Sequence, residues 1–187
     1  MAYLTKEQLR AMGFKAVGEN VKVSDKASIY NTDAIELGDF SRIDDFCVIS
    51  GRVAIGSYVH IAPFCLVAGG EEGVFMDDFS GLAYGVQVFS QSDDYSGRSL
   101  TNPTVSDKFK NERKAEVRIG RHVIIGARSM VFPGVELAEG CSVGAMTLVN
   151  KSTQPWGVYS GNPARRIKDR KQNLLELEAQ FLKEQQE

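Results

Sequence analysis

Residues 37–67 read LGDFSRIDDFCVISGRVAIGSYVHIAPFCLV. An aliphatic residue returns every six positions in this stretch, at Leu37, Ile43, Ile49, Ile55, Ile61 and Val67. The residue after it is often glycine or another small or acidic one, as at Gly38, Asp44, Gly56 and Ala62. Four positions after each aliphatic sits a small or β-branched residue: Ser41, Cys47, Val53, Val59 and Cys65. A period of six matches neither the 3.6-residue turn of a helix nor the two-residue alternation of a strand. It matches a coil of three short strands, about 18 residues per turn, in which the large aliphatic fills each face and the small residue fits the corner. The expected fold class is therefore mainly β, a parallel β-helix solenoid whose coils hydrogen-bond to those above and below.

Outward from this stretch the frame slips by three at the GEEGV turn and resumes at Met76, Leu82 and Val88. It breaks at Gln91 and returns at Ile119, Ile125, Val131, Leu137, Val143 and Val149, with a weaker start at Val23 and Ile29. The coils are expected over residues 23–154 of a single domain, 1–187. Cys47 and Cys65 lie 18 apart at the small corner position and should stack, and Cys141 has the same hexad position. Three cysteines without a CxxC pair do not make a disulfide framework or a zinc site, so they read as small buried hydrophobes.

The two ends and one insertion depart from the hexads. Residues 5–12 are expected to form a short helix, with Thr5 and Gln8 as a capping box and Gly13 as its stop. Residues 168–187 are expected to form a second helix, whose Leu174, Leu175, Leu177, Phe181 and Leu182 give an apolar stripe that must pack on the last coil or on another subunit. Residues 91–116 interrupt the coils with a polar stretch, QSDDYSGRSLTNPTVSDKFKNERK at its core, and read as an ordered site loop on a rigid scaffold. The net charge of −2 gives no basic field for nucleic acid or anionic lipid. With no signal core and no apolar run long enough to span a bilayer, a cytoplasmic protein without membrane insertion is expected.

Residues 119–167, IGRHVIIGARSMVFPGVELAEGCSVGAMTLVNKSTQPWGVYSGNPARRI, resemble the C-terminal signature of left-handed β-helix hexapeptide-repeat acetyltransferases. The likeness is to the sugar O- and N-acetyltransferase branch of lipopolysaccharide, capsule and glycan assembly, and more distantly to galactoside and maltose acetyltransferases. It spans nearly the whole chain, and VYSGNPAR is its most specific part. The resemblance implies a left-handed coil and a homotrimer with an active site in each cleft between subunits. It also implies acetyl-CoA as donor, a sugar or nucleotide sugar as acceptor, and no metal. Carried onto this sequence, Gly126, Ala127, Gly144 and Ala145 would line the pantetheine arm, and Lys151, Arg165 and Arg166 would lie near the CoA phosphates. Taken by themselves, the small residues serve equally well as turn formers, and the basic cluster as a solvated helix start.

The distant relatives place a catalytic histidine just before the extended loop, whereas VQVFSQSDDY puts Asp93 at or beside that position. Asp93 or Asp94 can act as the base if burial or neighbouring charge raises its pKa. Alternatively one of these carboxylates, or Tyr95 beside them, contacts the sugar, since an unprotonated amine acceptor needs no strong base. His60, outward-facing in SYVHIAPF, is the first histidine candidate for base or acceptor contact, and His122, also outward in GRHVIIG, is the second. Asp44 and Asp45 sit one coil below His60, with Asp44 stacked on Ala62, where they can orient the imidazole or bind sugar hydroxyls. Tyr84, Phe89 and Trp156 are candidate platforms for sugar or adenine, or ordinary packing. The expected activity is direct attack of a sugar hydroxyl or amine on the thioester, with a backbone N–H at the oxyanion. The alternatives are a metal enzyme on the same scaffold, for which two histidines fall short of three ligands, and a non-catalytic scaffold or binding protein.

Overall fold

The computed structural model describes residues 2–185. Three sheets run along the chain's coils: two of six strands and one of eight, with sequential strands falling to different sheets in turn. Every coil-to-coil pairing is parallel, as between Val53–Ile55 and Val74–Met76 in the first sheet. In the second sheet one inward column runs Val23, Ile43, Ile61, Leu82, Ile125, Val143 and Tyr159 in register. Neither the slip at GEEGV nor the long insertion disturbs that column, because register in a solenoid is fixed by filling the interior rather than by sequence spacing. The aliphatics of the hexads form a single core, with Ile43, Ile49, Ile61, Val67, Ile125 and Val131 at 0 or 1% exposure.

The corner between the first and second sheets is turned by one left-handed residue per coil: Phe40, Tyr58, Phe79 and His122, all with φ near +60°. That conformation is costly for a residue with a Cβ. Here it is offset by stacking, with ring centroids 4.9 Å apart for Phe40–Tyr58, 4.8 Å for Tyr58–Phe79 and 5.5 Å for Phe79–His122. Cys47, Cys65 and Cys141 are buried free thiols, the first two aligned on adjacent coils. Ser41 and Ser80 occupy the matching corner position on either side of Val59, and their buried hydroxyls find no partner among the described residues. An unpaired buried hydroxyl costs about 1–3 kcal/mol. Ser41→Ala is therefore expected to raise the unfolding free energy by about 1 kcal/mol, read as a higher urea midpoint at unchanged slope.

Three boundaries differ from the sequence reading. The coils begin at Ala16–Val17, ahead of Val23, because a two-residue strand needs only backbone pairing with Ile35–Leu37 above it. The last coil does not end at residue 154. It adds Gly157–Ser160, on which Arg165–Asp169 folds back antiparallel and covers the free sheet edge. Lys168 and Asp169 are thus strand residues, and the C-terminal helix, α2, spans Leu174–Glu184. Gln186 and Glu187, expected in that helix, lie outside the described residues. The N-terminal helix, α1, spans Lys6–Ala11, with Thr5 Oγ1 accepting from the Gln8 amide and Gln8 Oε1 from the Thr5 amide. No helix among the described residues is long and apolar enough to cross a membrane.

Candidate active site

His60 lies on the outer face of the second sheet, in register between Arg42 below and Gly81 above. Its Nε2 is 2.8 Å from Asp44 Oδ2. Asp44 is 3% exposed and also accepts from Arg42, at 2.6 Å from Nε and 3.1 Å from Nη2, and from the Tyr3 hydroxyl at 3.4 Å. Burial opposes ionisation of Asp44, but the hydrogen bonds from Arg42 and His60 and the Arg42 charge outweigh it and hold the carboxyl below its usual range. An ionised carboxylate only accepts, so Nε2 carries a hydrogen, and whenever the ring is neutral its lone pair is on Nδ1. His60 is half exposed and lines an open groove of about 660 Å³, with Tyr84, Ile124 and, from α2, Leu177 and Phe181 around it. The acidic pair expected beside His60 divides: Asp44 meets the imidazole, while Asp45 turns away to the Ser24 hydroxyl and, at 3.7 Å, Lys26.

The corner between the second and third sheets carries a column of small residues: Asp44, then Ala62, Ala83, Gly126 and Gly144. Each donates its amide to the coil above, as Ala62 to Leu82, Ala83 to Ile125, Gly126 to Val143 and Gly144 to Tyr159. The column joins the His60–Asp44 pair to the end of the solenoid that holds Lys151, Arg165 and Arg166. Ala127 and Ala145 flank it one position on, linked through Met146 N to Ala127 O at 2.8 Å. Part of this smallness belongs to the fold, since a Cβ at Gly126 would strike Ala145 N at 2.5 Å. At the basic end Arg166 pairs with Asp169 at 2.9 Å, while Lys151 and Arg165 are exposed.

The inserted loop begins as an antiparallel pair, Gln91–Ser92 with Arg113–Lys114, at the corner between the third and first sheets. It therefore lies across the molecule from the outer face that carries His60, and a single protomer does not bring Asp93, Asp94 or Tyr95 to the groove. Asp93 Oδ1 accepts from the Asn102 amide at 3.2 Å. Asp94 accepts from the Ser96 amide and hydroxyl and from Ser99, and these contacts, those of Ser96 first, lower its pKa. Those serines hold the charged form of Asp94, which braces the loop in the single chain. Tyr95 is 88% exposed at the loop's rim.

His122, expected to face outward, is buried at its corner beneath α2 and lies 2.7 Å from Glu178. Burial first, then the Arg121 charge, lowers its pKa and favours the neutral ring beside Glu178. Arg121 also pairs with Glu178, and Phe181 sits edge-on to Tyr58 and Phe79. These contacts hold α2 against the middle coils of its own chain and make it a wall of the groove. The sequence did carry a signal for this surface, a planar residue three positions after the inward aliphatic of the first sheet (Phe40, Tyr58, Phe79, His122). Phe89 packs against Phe132 at 5.0 Å, and Trp156 lies against Gly140 near His122; only Tyr84 of the three candidate platforms faces the groove.

No family model matches the sequence. The chain is 44% identical over 184 residues to the dTDP-4-amino-4,6-dideoxy-D-glucose acyltransferase of Escherichia coli, a match covering 97% of this chain and 95% of that one. It superposes with a TM-score of 0.97 on AntD, an N-acyltransferase from Bacillus cereus in complex with dTDP and 3-hydroxybutyryl-CoA, at 45% identity over 99% of this chain and 98% of that one. A variant of AntD in complex with dTDP-4-amino-4,6-dideoxyglucose and coenzyme A gives a TM-score of 0.97 at 46% identity, covering 98% of each chain. A maltose O-acetyltransferase from Clostridium difficile 630, with a TM-score of 0.57 and 22% identity over 89% of this chain and 75% of that one, shares the fold alone. With its coils, its column of small residues and this near-complete likeness, the chain belongs to the hexapeptide-repeat acyltransferase family of the E. coli and B. cereus enzymes.

Proposed function

We propose that the protein transfers an acyl group, acetyl in the first instance, from acyl-CoA to the amino group of a dTDP-linked 4-amino-4,6-dideoxy sugar. The observation that carries this reading is the column of small residues running from Gly144 through Gly126 and Ala83 to the His60–Asp44 pair. A thin pantetheine arm fits along such a wall, and the cations Lys151, Arg165 and Arg166 suit the phosphates at its far end. The acyl thioester supplies the electrophilic carbonyl: the amine forms the new C–N bond, the C–S bond breaks, and CoA leaves as the thiol. His60 takes the amine's proton at Nδ1 and passes it to the departing sulfur, and is held for this by Asp44, whose charge stabilises the intervening imidazolium.

The working form is proposed to be a homotrimer. In support, the His60 groove and the loop that carries Asp93 and Tyr95 lie on opposite sides of one protomer, so a neighbour's loop is needed to close the groove. Phe46, Phe64 and Met146, at 52, 64 and 75% exposure, also leave an apolar edge along one corner. In that assembly Asp93 and Tyr95 are proposed to contact the acceptor sugar. A cytoplasmic place, where acyl-CoA is made, and a role in supplying modified sugars for surface polysaccharide complete the reading.

The test is incubation with acetyl-CoA or 3-hydroxybutyryl-CoA and dTDP-4-amino-4,6-dideoxyglucose, following free thiol and product mass. Acceptor-dependent thiol release with one acyl group added is expected, from a particle of three chain masses by light scattering. No release, together with no CoA binding by calorimetry, would move the protein to the scaffold reading.

A further inference from the structure

Of the eighteen glycines in the chain, seventeen have a reason within the fold. Each has a positive φ, or sits so close to a neighbouring coil or side chain that a Cβ would approach within 3.4 Å of another atom. Gly81 alone has neither. Its φ is not positive, and a Cβ there would meet nothing nearer than His60 O at 3.5 Å and Ile124 Cδ1 at 3.6 Å, which is ordinary packing distance. It also opens a strand, Gly81–Leu82, where a side chain would be favoured over glycine on conformational grounds. A strand glycine that the backbone does not require marks a close approach by something else. Gly81 lies in register between His60 and Ile124, at the bottom of the groove.

We infer that Gly81 is the specificity-determining position of this groove, kept without a side chain so that the acceptor's sugar ring can pass over the strand beside the His60 imidazole. The inference rests on the reading of the groove as the acceptor site. Any side chain at this position raises the floor between His60 and Ile124, and a β-branched one, stiff at χ1, cannot swing clear. Cavity residues of the fold would respond differently: filling this space affects the acceptor and leaves the donor column at Gly126 and Gly144 untouched.

The experiment compares Gly81→Ala and Gly81→Val with the wild-type assembly, using dTDP-4-amino-4,6-dideoxyglucose as acceptor and acetyl-CoA as donor. Gly81→Val is expected to lower kcat/KM for the acceptor about tenfold or more, as overpacking a closed site does. The KM for acetyl-CoA should stay within about twofold, and the particle mass should not change. Gly81→Ala should unfold at the same or a higher temperature and show a smaller acceptor effect. Unchanged acceptor kinetics in Gly81→Val would overturn the inference while leaving the acyltransferase reading intact. So would a changed particle mass, which would assign the glycine to subunit packing, or a lower unfolding temperature in Gly81→Ala, which would assign it to the fold. A wild-type protein that acylates no amino sugar nucleotide would remove the underlying reading, and this inference with it.

Discussion

Asp44→Asn is expected to lower kcat about 10²- to 10⁴-fold, the range over which a positioned base contributes. The KM for acyl-CoA should hold, because Gly126 and Gly144, proposed as the wall for the donor, lie coils away from Asp44. Asparagine keeps the size of the side chain but not its single polarity. Its oxygen accepts as a carboxylate does, yet its NH₂ can face Nε2 instead and shift the ring hydrogen to Nδ1, the atom needed as the lone pair. The Arg42 clamp makes the native choice one-sided, since both of its contacts to Asp44 require an acceptor. Asp44's carboxyl ionises below the ordinary 3.8 in the folded protein, so its contacts contribute fully above that pH and are lost as the pH drops below it. Activity near neutral pH is thus expected to depend on the residue's identity and not on its titration. Steady-state kinetics on Asp44→Asn and His60→Ala check the assignment: matched losses in kcat place the two in one unit. A normal kcat in Asp44→Asn beside a dead His60→Ala would leave the imidazole as base with no need of its carboxylate.

The fold was legible because one interior position repeats. Ile43, Ile61, Leu82, Ile125 and Val143 share a column, and each is recognisable as an aliphatic in frame without knowledge of the others. The slip at GEEGV and the insertion shift the count but not the hydrophobic demand. The neighbourhood of Asp44 and His60 was legible for the same reason, since an 18-residue coil puts Asp44 under Ala62. What the spacing could not reveal was direction at the corner. Asp44 and Asp45 are identical side chains one residue apart, and only the turn decides that the first meets His60 and the second meets Ser24 and Lys26. Arg42, which fixes Asp44, was overlooked because a strand arginine reads as ordinary solvated charge. Nor could the spacing show that the loop's own serines, close in sequence, take lone pairs of Asp94. The site of α2 depended on Glu178 reaching Arg121 and His122 across more than fifty residues, a pairing with no local signature.

Ile124 and Ile125, neighbours in one strand, should respond to the same substitution in opposite ways. Ile125 is fully buried in the inward column between Leu82 and Val143, whereas Ile124 is 41% exposed on the outer face. Ile125→Ala removes three carbons from a packed interior and leaves a cavity whose walls are strands fixed on both sides by parallel pairing. The cost expected is about 2–5 kcal/mol, a large share of the roughly 5–15 kcal/mol that holds a domain folded. Ile124→Ala should cost about 0.5 kcal/mol or less, the usual scale for a surface change. Urea denaturation of the two variants measures the difference as a shift in midpoint. Because each coil is stabilised chiefly by its neighbours, the larger loss should appear wherever an inward residue is cut, and repeating the pair at Val48 and Ile49 should reproduce the contrast. Equal losses at Ile124 and Ile125 would mean that the outer face is covered as tightly as the core. The groove beside His60 would then have to be closed by a partner far more completely than a neighbour's loop alone can manage.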